Sequence, residues 1–220
     1  MYFKILREDL THYGYTYHEG LNVDPNPFDP TPDCGGGLFF ADEKEILGFC
    51  DYGTKIAEIT VPDEEVIVPV RSKYKTHRII LGPVRKLWTK ETFEWLTSCG
   101  VDIHAEDDYA LLWASTNGHL DVVRLLVEAG ANIHASDDYA LCQTAKNGHL
   151  EVVRLLIESG VNVHVRNDCA LRWASANGHL EVVRVLLEHG ADVHACDDCA
   201  LLWASANGHV KVVEYLKSLH

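Results

Sequence analysis

The 220-residue sequence is short of positive charge: 19 Lys and Arg stand against 33 Asp and Glu, a formal net charge of −14. A chain this acidic repels phosphate backbones, which argues against nucleic acids and anionic membrane surfaces as partners. It lacks any run approaching the ~20 consecutive apolar residues that cross a bilayer. Its opening, Met1–Leu10 (MYFKILREDL), has no continuous apolar core and so does not read as a secretory signal. Walker A, H-E-x-x-H, EF-hand and G-x-S-x-G patterns are all missing from the sequence. Gly35-Gly36-Gly37 precedes a strand pattern rather than a helix, so it is not read as a phosphate cradle. Cysteine is present, but as an odd, scattered seven. Without a secretion signal these read as reduced thiols of an intracellular protein. A composition of 47% hydrophobic and 24% charged residues argues against wholesale disorder.

What the sequence does have is an internal repeat. From Ala110 the chain repeats every 30 residues, with units opening at Ala110, Ala140, Ala170 and Ala200. Each unit opens with Ala-Leu and carries Asn-Gly-His seven residues later, as in Asn117-Gly118-His119 and Asn177-Gly178-His179. The units from Ala110 and Ala170 are identical at 20 of 30 positions, which chance does not produce. Each reads as two short helices. The first, A-L-x-W-A-S, is rich in small residues that let neighbouring units approach closely. Asn-Gly breaks it. The second, such as Leu120–Val127, carries an apolar stripe too wide for a helix wetted on one whole side, and fits a helix sandwiched between neighbours. Gly130, Gly160 and Gly190 stand where a left-handed residue ends a helix. A short extended piece such as Ala131–Ala135 and a polar tip such as Ser136-Asp137-Asp138 follow. One unit cannot bury its own apolar face, whereas a stacked array can.

The residues of this pattern, N-G-H-L-E-V-V-R-L-L-x-E-x-G-A-[DN]-V-H-A, resemble ankyrin repeats over roughly residues 90–220. The units are three residues shorter than the usual ~33. The family's Thr-Pro-Leu-His signature is replaced by stretches such as Tyr109-Ala110-Leu111-Leu112 and Cys169-Ala170-Leu171-Arg172, so stubby fingers are expected. Short, nearly identical units of this kind are similar to those of giant DNA viruses of the mimivirus type. The resemblance implies a non-enzymatic scaffold that holds a partner protein along a concave groove. It places the protein inside a cell, in the cytoplasm of an infected host, with a host protein as a candidate partner. Lys211, Glu214 and Lys217 put charge on the last helix, as a capping unit requires.

Residues 1–86 carry no repeat and read as a small α+β domain that caps the array, which occupies 87–220. The expected fold class is therefore mostly α, a C-terminal ankyrin-repeat solenoid with a small N-terminal α+β domain. Asp24–Pro32 holds four of the seven prolines and reads as an extended loop. Strands are expected at Leu38–Phe40, Lys55–Val61, Val66–Val68 and Arg78–Leu81, with a short helix within Glu43–Asp51. So small a core should lean on the repeat through Leu87, Trp88 and Trp95. Gly20-Leu21 … Gly36-Gly37-Leu38-Phe39-Phe40-Ala41-Asp42 … Phe49-Cys50-Asp51-Tyr52 is similar to the G-L … G-x-G-I-Y-F-A-D … Y stretch of poly-ADP-ribosyltransferases. That resemblance gives an alternative function: a nucleotide-binding transferase domain, active or degenerate, targeted by the repeats, with a cleft beside Gly36, Phe39 and Tyr52. His12 is followed by Tyr13 rather than the family's Gly, and no motif places its late Glu.

Each tempting feature has an ordinary reading. Eight of the 13 histidines occupy two repeat positions. Units about 8–10 Å apart cannot easily bring equivalent rings to within about 2 Å of one metal ion, so no metal site is expected. Cys196-Asp197-Asp198-Cys199 lacks a second C-x-x-C and reads as repeat drift. Cys34 with His12 or His18 would need a base and an orienting group to act as a nucleophile, and a glycine turn is the plainer reading. No catalytic residue and no cofactor are assigned. The partner-binding candidates are Trp113, Trp173 and Trp203, together with Leu112, Lys146, Arg166 and Arg172 at positions that vary between otherwise similar units. An acidic groove favours a basic partner surface, and the chain is expected to be a monomer.

Overall fold

A computed structural model describes residues 1–12, 14–32 and 36–219. The chain divides into two compact units, Met1–Ala110 and Leu111–His220.

The first unit is built from strands β1 (Tyr2–Leu6), β2 (Thr11–His12), β3 (Tyr15–Thr16), β4 (Gly20–Val23), β5 (Leu38–Asp42), β6 (Lys55–Thr60), β7 (Val68–Val70), β8 (Lys73–Thr76), β9 (Arg78–Leu81) and β10 (Arg85–Lys86). The main sheet runs β4-β9-β6-β1-β5-β8-β7, with β10 also on β6, and β2 and β3 form a separate hairpin. Every strand pairing among the described residues is antiparallel, which lets one face go to the core and the other to a second layer. Leu6, Phe40, Ala57, Ile59, Ile79 and Leu81 bury one face, with Tyr17 among them. Phe3 points the other way, edge-on to Trp95 at 5.8 Å between centroids. A 3₁₀ helix spans Ile46–Tyr52. The alternating stretch ending at Pro62 forms β6 as its pattern requires, whereas Val66 and Ile67 lie outside β7 and are exposed.

The first helix, α1 (Lys90–Ser98), starts at Thr89, whose hydroxyl accepts the Thr92 N–H. It belongs to the repeat pattern by sequence but packs with the strands. Arg85 lies over the Trp95 ring, Trp88 stacks on Phe93, Leu87 is fully buried, and the Asp102 N–H donates to the Glu43 carbonyl at 2.7 Å. The thin sheet therefore gains its second layer from this half-unit, as its small size demands.

From α2 (Ala105–Thr116) the helices alternate between inner and outer members of each unit: α3 (Leu120–Glu128), α4 (Ala135–Asn147), α5 (Leu150–Glu158), α6 (Val165–Ala176), α7 (Leu180–Glu188), α8 (Ala195–Ala206) and α9 (Val210–Lys217). Inner helices α4, α6 and α8 touch in series, as do outer helices α3, α5, α7 and α9. The small residues do what their size permits: Ala140, Ala145, Ala170, Ala174, Ala200 and Ala204 are buried at these crossings.

The polar tip that follows the short linking piece is a tight turn, not a hairpin finger. Each inner helix instead opens with three consecutive left-handed residues: Glu106-Asp107-Asp108, Ser136-Asp137-Asp138, Arg166-Asn167-Asp168 and Cys196-Asp197-Asp198. Left-handed backbone costs about 1–2 kcal/mol per non-glycine residue, least for Asp and Asn. A side-chain bracket holds each turn. The Asx oxygen of Asp102, Asn132, Asn162 or Asp192 accepts the N–H of the histidine two residues on, at 2.9–3.0 Å. That histidine's Nδ1 then meets the last Asp of the turn: His104–Asp108 2.8 Å, His134–Asp138 2.7 Å, His164–Asp168 3.1 Å and His194–Asp198 2.8 Å. His104, His134, His164 and His194 are thus turn braces. Asp168 additionally accepts the Asp192 N–H of the next unit at 3.0 Å. Asp168→Ala removes both bonds and should lower stability by about 2 kcal/mol, read by urea denaturation. An unchanged midpoint would show that the bracket holds nothing.

Candidate functional site

The inner helices carry the residues that the sequence singles out. Five of the seven form one row. The Lys146 ammonium lies 5.5 Å from the centre of the Trp173 ring and the Arg172 guanidinium 5.4 Å from that of Trp203. Arg166 covers Tyr139 at 4.6 Å, and Tyr139 meets Trp173 edge-on at 6.1 Å. Three backbone carbonyls pin the arginines: Arg172 Nε donates to Asn167 (2.9 Å) and Nη2 to Arg166 (2.8 Å), and Arg166 Nη2 donates to Ser136 (2.9 Å). Each cation–π contact contributes about 0.5–1 kcal/mol at such half-exposed positions, and together they hold the long side chains in fixed poses. Leu112 and Trp113 are half-buried on α2.

Tyr139 is the member that sequence reasoning missed. Its position becomes Cys169 and Cys199 in later units, and that variation reads as drift until the ring is seen against Trp173. The row also corrects the expected charge. The chain is acidic, but this face presents Lys146, Arg166 and Arg172, with Asp137 at 3.8 Å from Arg166, while further exposed carboxylates lie on the outer helices at Asp121, Glu151 and Glu181. Net charge says nothing about where charges lie.

A second correction concerns the thiols. Cys142 and Cys169, with Cα atoms 5.7 Å apart, are joined in a disulfide between α4 and α6. Cys142 occupies the variable position of Leu112, Arg172 and Leu202, yet it is fully buried and offers nothing to a partner. Cys50, Cys99, Cys196 and Cys199 are free. Cys34, the imagined nucleophile, lies outside the described residues. Among the described residues no group of three His, Cys, Asp or Glu is placed to hold a metal. None of the described helices is long and apolar enough to cross a membrane.

A model of ankyrin repeats matches residues 88–167 and 141–220. The chain belongs to the ankyrin-repeat family. An ankyrin repeat protein of Acanthamoeba polyphaga mimivirus is 33% identical over 136 residues, covering 58% of this chain and 67% of the relative. Two other ankyrin repeat proteins of the same virus are 36% identical over 123 residues and 34% over 133. These matches cover 51% and 57% of this chain, and only 40% of each of those relatives. The mimivirus-type ankyrin resemblance of the short units is thus shown, and the row lies on the inner helices of an ankyrin array.

The N-terminal unit of this ankyrin-repeat protein holds a cleft as well. It is lined by Phe39 and Tyr52, with His12, Phe49, Lys4 and Lys73. A neighbouring hollow reaches Gly36 and shares His12 and Phe39 with it. Gly36 and Tyr52 thus line different hollows, which share Phe39. The described residues lining the first include no Asp or Glu.

Proposed function

We propose that the protein is a non-enzymatic interaction scaffold that binds a partner protein along the inner-helix face of its ankyrin array. The observation that carries this is the pinned row Lys146–Trp173–Tyr139–Arg166 with Arg172–Trp203. Aromatic and arginine side chains dominate interface hot spots because they bury large areas with little rotamer freedom left to lose. Here the cations and carbonyls have already fixed them. The family resemblance supports the same reading, since ankyrin arrays serve as interaction scaffolds. The face suits a partner that brings carboxylates to Lys146 and Arg166 and an apolar group to the tryptophan edges. The viral relatives support a place inside an infected cell; a host protein as partner and a monomeric chain as the binder complete the reading.

The test is cross-linking mass spectrometry in infected cells, followed by titration of the recovered partner. Trp173→Ala with Arg172→Glu should weaken that partner at least ~30-fold, the scale of a hot-spot loss. Cross-links confined to the outer helices, or an unchanged affinity in the double variant, would remove the proposal.

A further inference from the structure

The N-terminal cleft exists because the sheet splits. Strands β1 and β5 pair only at Tyr2↔Asp42 and Phe3↔Ala41, although β1 continues to Leu6 and β5 begins at Leu38. The gap left between them opens a hollow of about 50 Å³, or about 440 Å³ when the open solvent at its mouth is counted. Its walls are aromatic: Phe39 from β5, with Phe49 and Tyr52 from the 3₁₀ helix, which meet at 6.0 Å between ring centres. The His12 ring stands perpendicular to Tyr52 at 6.5 Å.

Two ammonium groups enter this apolar hollow. Lys4 is 2% exposed. Its Nζ donates to the Phe39 carbonyl at 2.6 Å and lies 4.4 Å from the centre of the Tyr17 ring. Lys73 Nζ lies 4.6 Å over the Phe39 ring. Neither lysine has an ion-pairing carboxylate among the described residues. In a chain of net charge −14, a buried lysine beside a half-buried one, neither with a counter-charge, is conspicuous, because burial without a counter-charge is costly. Burial, and after it the clustered cations, shift both Lys4 and His12. Burial, then the charge of Lys73, lowers Lys4 to about 7. Burial, then Lys4, Lys73 and Arg7, lowers His12 to about 4.

We propose that this cleft binds a small planar aromatic anion, its ring against Phe39, Phe49 and Tyr52 and its negative group on Lys4 and Lys73. An anion supplies the counter-charge that the fold omits, and a flat ring matches walls that offer faces and edges rather than hydrogen-bonding groups. The same field repels a cationic ring. Nothing in this inference depends on the inner-helix row, and variants of Trp173 or Arg172 should leave it untouched.

The test is titration of the full chain by calorimetry and by NMR, with benzoate, its neutral isostere benzamide, adenosine 5′-monophosphate and inorganic phosphate as probes. Benzoate or the nucleotide should bind in the millimolar range or tighter, with benzamide at least ~10-fold weaker. Lys4→Met and Tyr52→Ala should each weaken the anion at least ~10-fold, and Lys4→Met should do so in a protein that melts no lower than the parent. Benzoate answers for a carboxylate and the nucleotide for a phosphate. Equal binding of benzamide and benzoate would overturn the proposal. So would binding of inorganic phosphate alone, no binding of any probe at ~10 mM, or full affinity in Lys4→Met.

Discussion

Lys4→Met should stabilise the N-terminal unit by about 3 kcal/mol at pH 7 and flatten its pH dependence. Burial and Lys73 hold the folded Lys4 at about 7, against 10.5 for an ordinary lysine. Between those values the unfolded chain binds a proton that the folded chain does not. Stability therefore rises with pH across that window, by about 1.4 kcal/mol per pH unit at most. Below about 7 both states are protonated and the full penalty, about 5 kcal/mol, stays in place. Methionine fills similar volume without the charge. Part of the gain, about 1 kcal/mol, is lost because the Phe39 carbonyl gives up its donor. Urea titrations at pH 7 and pH 9.5 on parent and variant, followed through the fluorescence of Trp95 beside Phe3, read both effects. A variant less stable than the parent at pH 7, or a parent whose stability falls between the two pH values, would contradict the argument.

Gly148→Ala should cost about 3 kcal/mol. Gly148 has φ +77°, and an added Cβ would stand 2.5 Å from Nδ1 and 2.6 Å from Cε1 of His179. That ring cannot simply swing away, because its Nε2 donates to the Lys146 carbonyl at 2.9 Å across the inter-unit seam. The cost combines the left-handed backbone, the overpacking and the lost bond. Gly160→Ala is the control. Gly160 has φ +102° but open space around its Cβ, so only the backbone contribution of about 1 kcal/mol is expected. Denaturant midpoints of the two variants separate the effects, and equal losses would show that the histidine ring is not a wedge between units.

The periodic half of the molecule was the more legible from its residues. Val122, Val123 and Leu126, and their counterparts one unit on, are fully buried, as a helix sandwiched between neighbours requires. In the first unit, Leu38–Phe40, Lys55–Val61 and Arg78–Leu81 announced their strands through alternation and flanking breakers. Tyr2–Leu6 did not, because its central position in the sheet places a lysine where the pattern calls for an apolar residue. The tip turns were illegible for a different reason. Ser136-Asp137-Asp138 is polar in any loop, and its left-handed run depends on the His134–Asp138 bracket.

The sequence alone decided that 30-residue helix pairs follow one another after about residue 90, since the apolar spacing within each pair leaves no other way to bury it. It also decided which inner-helix positions vary. Only the tertiary structure decided that Lys146, Arg166 and Arg172 converge on Trp173, Tyr139 and Trp203, that Cys142 meets Cys169, and that the sheet parts around two lysines. Each of these joins residues from different strands or successive units. Such meetings are set by how neighbouring elements stack and where their registers end, quantities that no local periodicity encodes.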